Sequence, residues 1–124
     1  MKFTQPLHKQ LLGKRGEDLA VSYLQNHGFR IIERNFKARY GEIDIVSLKD
    51  GVLVFIEVKT RIGTAFGTPE EAVTPKKLRD VVRTAEYYKI GHRGLPDAMR
   101  IDVIGIQLDD HEQIISFNHI ENVT

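Results

Sequence analysis

The sequence predicts a single α/β domain spanning residues 1–124, with helices covering a central mixed β-sheet in the order αβββαββ. Three observations predict it. Two stretches place apolar residues at helical spacing, five are rich in Ile, Val, Leu and Phe, and Asp50-Gly51 sits between two of the latter as a hairpin turn. A chain of 124 residues is about one ordinary domain, and with 41% apolar and 28% charged residues it has a globular composition, which excludes disordered, collagen-like and coiled-coil chains.

Leu12, Gly16, Leu19, Ala20, Tyr23 and Leu24 mark the first helix, over 12–24, and Asn26, His27 and Gly28 supply its stop. Phe29 to Phe36 reads as a strand, followed by a basic connection from Lys37 to Tyr40. Gly41 to Lys49 and Val52 to Lys59 are the arms of the Asp50-Gly51 hairpin, and Thr60 to Pro69 reads as a loop. Thr74 as N-cap and Pro75 in the first turn start the second helix, whose apolar face is Leu78, Val81, Val82, Ala85 and Tyr88. Gly91 to Pro96 ends it; Met99 to Gln107 and Gln113 to Ile120 then read as two strands around the polar turn Leu108 to Glu112.

A two-residue turn at Asp50-Gly51 sets the hairpin register, with Lys49 opposite Val52. Counting outward, Leu48 faces Leu53, Val46 faces Phe55, Asp44 faces Glu57 and Glu42 faces Lys59 on one side; Ile45 faces Ile56 and Ile43 faces Val58 on the other. Directly opposed carboxylates are unfavourable, and burial makes them more so unless a cation lies between them or one keeps its proton. Mg²⁺ is commonly held by one or two carboxylates while retaining waters, so the pair is a candidate metal site for Mg²⁺ or Mn²⁺. Lys59, two residues beyond Glu57, projects on the same side and either orients a water or phosphate or forms an ordinary cross-strand ion pair with Glu42. On a helical wheel Glu17 falls beside the apolar stripe and Asp18 points away. Gly13 and Gly16 would let the helix approach the sheet and carry Glu17 toward the hairpin; the alternative is a helix-surface pair with Lys14.

The absence of cysteine excludes disulfide frameworks, thiolate metal sites and cysteine nucleophiles. The first ten residues lack a signal-peptide apolar core, and no window approaches a membrane span, so a cytoplasmic protein without membrane association is expected. With a net charge of only +1, nucleic-acid binding would rest on local groups, among which Lys37, Arg39, Arg61 and Lys77 are the candidate contacts. Lys77, in the first turn of the second helix, either meets a phosphate there or extends past Val81 to solvent. Arg100 and Asp102 share a strand face as a structural ion pair, and the five histidines show no metal-ligand spacing and are expected in loops or on surfaces.

The set Gly16-Glu17, Gly41-Glu42-Ile43-Asp44 and Glu57-Val58-Lys59-Thr60-Arg61 resembles the PD-(D/E)XK nuclease superfamily, and more closely the YraN-type bacterial proteins, whose pattern is similar to archaeal Holliday-junction resolvases. The likeness runs from about Gly13 to Asp102, with Ile43 standing where the motif's name has proline. The resemblance implies a restriction-endonuclease-like core in which Asp44 and Glu57 bind the metal and Val58 lends a backbone carbonyl. It further implies that Lys59 aligns the attacking water and that Glu17 binds metal-bound water or a second ion. The activity so implied is metal-assisted hydrolysis of phosphodiester bonds in DNA, branched by analogy with the resolvases. RNA is an open alternative substrate, a homodimer would suit a symmetric junction, and the rival reading is a catalytically inactive nucleic-acid-binding or partner-binding domain of the same fold.

Overall fold

Helix α1 (Gln5–Asn26) lays Ala20 and Leu24 on the sheet and ends in a left-handed residue, Gly28 (φ 85). The Gly28 N–H donates to the Gln25 carbonyl and the Phe29 N–H to that of Leu24, closing the last turn while Leu24 and Phe29 pack in one cluster. The computed structural model describes residues 5–63 and 67–124, with side chains from residue 8. α1 starts several residues before the apolar periodicity does, because polar residues extend a helix already anchored by its inward stripe.

Five strands follow in the expected order: β1 (Arg30–Ala38), β2 (Gly41–Lys49) and β3 (Val52–Ile62), then α2 (Pro75–Gly91), then β4 (Met99–Leu108) and β5 (Ile114–Ile120). They form one mixed sheet in spatial order β1-β2-β3-β4-β5, in which only β3 and β4 run parallel, joined across the face by α2. Together with the flanking helices this is the architecture of a restriction-endonuclease-like core.

The β2–β3 turn has positive φ at both Asp50 (50°) and Gly51 (77°), the backbone that matches strand twist. The segment after Lys59, expected as a loop, continues as strand to Ile62 because β4 pairs with it as far as Leu108; the part of that loop at 64–66 lies outside the described residues. A short 3₁₀ turn at Glu70–Ala72 precedes α2, whose Thr74 side chain accepts the Lys77 N–H as an N-cap.

The sheet is buried on both faces. Ala20, Leu24, Ile45, Val54, Ile56, Ile104 and Ile106 pack on the α1 side, and Ile43, Val46, Phe55, Val81, Ala85 and Tyr88 on the α2 side. Ile43 and Ile45 therefore face opposite ways, although strict alternation from the hairpin turn puts them on one face. The hairpin pairing holds as expected from Lys49↔Val52 to Ile45↔Ile56 and ends there, so Asp44 and Glu57 are not opposed ladder partners. The reason is competition between neighbours in a twisted sheet: β2 stays with β1 to Ala38↔Gly41, while β3 stays with β4, and the two strands separate.

Candidate functional site

The parting of β2 and β3 creates the site. In a continuing ladder the next backbone exchange after Ile45 and Ile56 would join Ile43 to Val58; instead the Val58 N–H donates to Asp44 Oδ2 at 2.8 Å. One carboxylate thus takes the place of a backbone carbonyl and fills the fork. Between the pairs Arg34↔Ile45 and Phe36↔Ile43, Asn35 adopts φ 55, a left-handed conformation that asparagine tolerates, and the alternation along β2 switches at the same point. Asp44 consequently lines a cleft of about 820 Å³ on the α1 side with Glu17, Glu42, Lys37 and Val58. Glu57 keeps the alternation of β3 and reaches toward α2, where Lys77 Nζ is 3.6 Å from Oε1.

The two carboxyls nevertheless meet, within reach of one shared proton. Burial raises Asp44 to about 6, the Val58 N–H opposing the rise and the charges of Glu17 and Glu42 adding to it. Burial and then the Asp44 charge raise Glu57 to about 8, with Lys77 pulling it down. Glu57 is only 8% exposed, and its Oε2 is buried with no hydrogen-bond partner. An acceptor buried without a donor is costly, and a proton or a cation relieves it.

That orphaned oxygen bears on whether a metal suits the site. The donors nearby are oxygens alone, which match a hard cation such as Mg²⁺ or Mn²⁺ and not a thiophilic one. Among the described residues no group of three or more His, Cys, Asp or Glu side chains is arranged to hold a metal, so the chain offers a pair of carboxylates. Two carboxylates and water suit Mg²⁺, which dehydrates reluctantly, and on this ground the residues present fit it.

Glu17 is inward-facing as expected, at 8% exposure, while Asp18 is exposed. Gly16 explains the approach: a Cβ there would lie 1.7 Å from Thr60 Oγ1, so only glycine lets α1 touch β3. Gly13 has nothing within 4 Å and plays no such part, contrary to the sequence expectation. Glu17 does not pair with Lys14; its Oε1 accepts from Arg34 Nε at 2.9 Å and Asn35 Nδ2 at 3.1 Å, both from β1. Asp18 takes the lysine and also Arg34 Nη2 at 2.6 Å.

Lys59 is exposed, and by alternation it lies on the Glu57 side of the sheet. The expected pairing of Glu42 with Lys59 is not formed, because Glu42 lies opposite Lys37 on β1 and lines the α1-side cleft. Arg61 is half-buried near the end of β3; Lys37 and Arg39 are exposed. Lys77 neither meets solvent alone nor stands clear of the site, since it joins Glu57.

Two features escaped sequence reading. Glu70, from the 3₁₀ turn, rests on Gly105 of β4, where a Cβ would lie 2.1 Å from its buried, unpartnered Oε1. His119, expected on the surface, turns its side chain, 7% exposed, inward from β5 between the Tyr23 hydroxyl (3.0 Å to Nδ1) and Asp102 (2.7 Å to Nε2). Asp102, fully buried, also accepts from Arg100 Nε and the Asn122 N–H, each at 3.0 Å, which confirms the Arg100–Asp102 pair and enlarges it. Its carboxyl is lowered: burial pushes up, and hydrogen bonds from His119, Arg100 and Asn122 outweigh it. The glycine at 105 is the only sequence trace of the first feature, and nothing local marks the second.

Residues 16–106 match the family model described as "Uncharacterised protein family UPF0102". Curated relatives named UPF0102 protein include one from Syntrophomonas wolfei, 48% identical over 90% of this chain and 95% of its own. Another, from Alkaliphilus oremlandii, is 45% identical over 90% of this chain and 95% of its own; a third, from Persephonella marina, is 45% identical over 76% and 81%. The matched span takes in Glu17, Asp44, Glu57 and Lys59.

Proposed function

We propose, from the premise that this chain belongs to the uncharacterised protein family UPF0102, that it is a metal-dependent endonuclease hydrolysing phosphodiester bonds in DNA, with branched DNA as its preferred substrate. The observation that carries this reading is the buried Asp44–Glu57 pair in the fork between β2 and β3, with one carboxylate oxygen left without a donor. Asp44, Glu57 and the Val58 carbonyl would hold Mg²⁺ or Mn²⁺, and Glu17 a metal-bound water. Bound there, the ion would polarise the phosphoryl oxygen and make its water more acidic.

The remaining work falls to the chain. The Val58 N–H fixes the Asp44 carboxylate in the fork. Lys59, exposed and on the Glu57 side, offers an ammonium to a phosphate oxygen as negative charge builds up there. Lys77 holds Glu57 in place through its ion pair and, at the N-terminal turn of α2, adds positive charge beside the phosphate path. No helix among the described residues is long and apolar enough to cross a membrane, and a cytoplasmic location accords with a DNA substrate.

Purified protein with Mg²⁺ or Mn²⁺ is to be tested against flaps, four-way junctions, single strands and blunt duplex. Cleavage of a branched substrate that disappears in Glu57→Gln is the expected result; no cleavage of any substrate, at concentrations that bind DNA, rejects the enzymatic reading. One observation favours the rival, a catalytically inactive binding domain: Glu17 Oε1 is already taken by Arg34 and Asn35, as in a purely structural network. Calorimetry separates the two, since Mg²⁺ or Mn²⁺ binding that is lost in Asp44→Ala belongs to the nuclease reading alone.

A further inference from the structure

We propose that Tyr40, in the turn beside Arg39 and Arg83 on the α2 side of the sheet, is a stacking post for an unpaired nucleotide base, so that the substrate carries single-stranded nucleic acid near the cleaved phosphate. This rests on the nucleic-acid reading above and narrows it to a substrate class.

Tyr40 occupies the turn between β1 and β2 and is 48% exposed. The turn lies close against α2: at Gly41 (φ 151) a Cβ would be 3.5 Å from Thr84 Oγ1 and 3.8 Å from Asp80 Cβ. That contact brings Arg83, the residue before Thr84, over the tyrosine ring at 4.9 Å from its centroid, while Arg39 approaches it at 5.8 Å. An aromatic ring carried on a turn, gripped by a guanidinium from a separate helix and still half open, presents a flat surface fixed in direction. Arg39 and Arg83 are both exposed, and Lys76 and Arg79, also exposed, add positive charge along α2.

The spacing ties this ring to the carboxylate pair. Tyr40 precedes Asp44 by four residues along the chain, about 13 Å at the usual rise of a strand. That is about four nucleotides at 3.4 Å each, and fewer on an extended strand. In a duplex the faces of the bases are occupied by their neighbours, so a protein ring stacks only on a base that is unpaired or at an end. Two guanidiniums beside the ring suit the phosphates on either side of such a base.

The test is fluorescence anisotropy at fixed ionic strength with a labelled short single strand and a blunt duplex of the same sequence, in EDTA and again with Ca²⁺. Wild type, Tyr40→Phe and Tyr40→Ala are compared, with thermal melts showing that the variants are folded. Expected are tighter binding of the single strand by wild type, retention in Tyr40→Phe, and a loss of about tenfold in Tyr40→Ala on the single strand against less than twofold on duplex. Equal losses on both nucleic acids, or no loss on either, overturn the stacking role while leaving the nucleic-acid reading standing. If wild type binds neither probe under either condition, the stacking role falls, and the nucleic-acid reading is judged by the flap and four-way-junction substrates above.

Discussion

Replacing Glu57 by Gln is expected to stabilise the metal-free protein at alkaline pH and to leave it nearly unchanged at pH 5. Glu57 is held protonated in the fold to about 8, against 4.5 for an ordinary glutamate. Between those values the folded state binds more protons than the unfolded one, so wild-type stability falls as pH rises through that window. At about 1.4 kcal/mol for each pH unit, the whole span caps the penalty at about 5 kcal/mol. Asp44 shares the same proton and the fork can relax, so an effect on the order of 2 kcal/mol is expected above pH 8. For a chain of this length that is a rise of about 8 °C in melting temperature. The lost Lys77 ion pair subtracts little, since that lysine is 40% exposed. The assay is thermal unfolding of wild type and variant in EDTA from pH 5 to 9, repeated with Mg²⁺. The gap should open with pH in EDTA and narrow with Mg²⁺, because only wild type gains from the ion. A gap that is constant across pH, or a variant less stable than wild type at pH 9, would refute the buried-pair argument.

Gly16→Ala should destabilise the fold by about 1 to 3 kcal/mol in denaturant titration, because its methyl would meet Thr60 Oγ1 at 1.7 Å, whereas Gly13→Ala, with nothing within 4 Å, should be neutral or stabilising by up to about 1 kcal/mol. If the chain is the nuclease proposed above, Lys59→Met should lower the turnover of DNA cleavage by about a hundredfold while calorimetric Mg²⁺ affinity changes little, since the exposed lysine would act on the substrate. Asp102→Asn should flatten the acid limb of stability. The depressed carboxyl of Asp102 contributes stability above its ordinary value near 3.8, lost as pH falls through its folded value, and chemical denaturation at pH 3 and 6 should show a wild-type difference that the variant lacks.

Much of the fold was legible because it is written in local patterns. The Asp50-Gly51 turn, the strand composition on either side of it, the Thr74-Pro75 helix start and the glycine stop after α1 each depend on a few neighbouring residues. The hairpin register was readable for the same reason, since a two-residue turn propagates outward pair by pair as far as Ile45↔Ile56. The inward aspect of Glu17 follows from helical period, and the glycine beside it from the need for close approach.

What residue types and spacing determined alone was therefore the kind of chemistry: two acidic side chains near the open end of one hairpin, with oxygen donors on both arms and no thiolate in the chain. How the carboxyls meet was decided by the tertiary structure. A hairpin considered in isolation sets Asp44 and Glu57 side by side on one face, but each arm has a second neighbour, β1 or β4, and sheet twist pulls the arms apart. Asp44 then turns into the fork to satisfy the Val58 N–H, Lys77 arrives from a helix twenty residues later, and Arg34 and Asn35 come across from β1 to hold Glu17. The inward turn of His119 between Tyr23 and Asp102 has the same origin. Such contacts join segments far apart in the chain, and their energies depend on the packing of the whole sheet, which short-range periodicity does not encode.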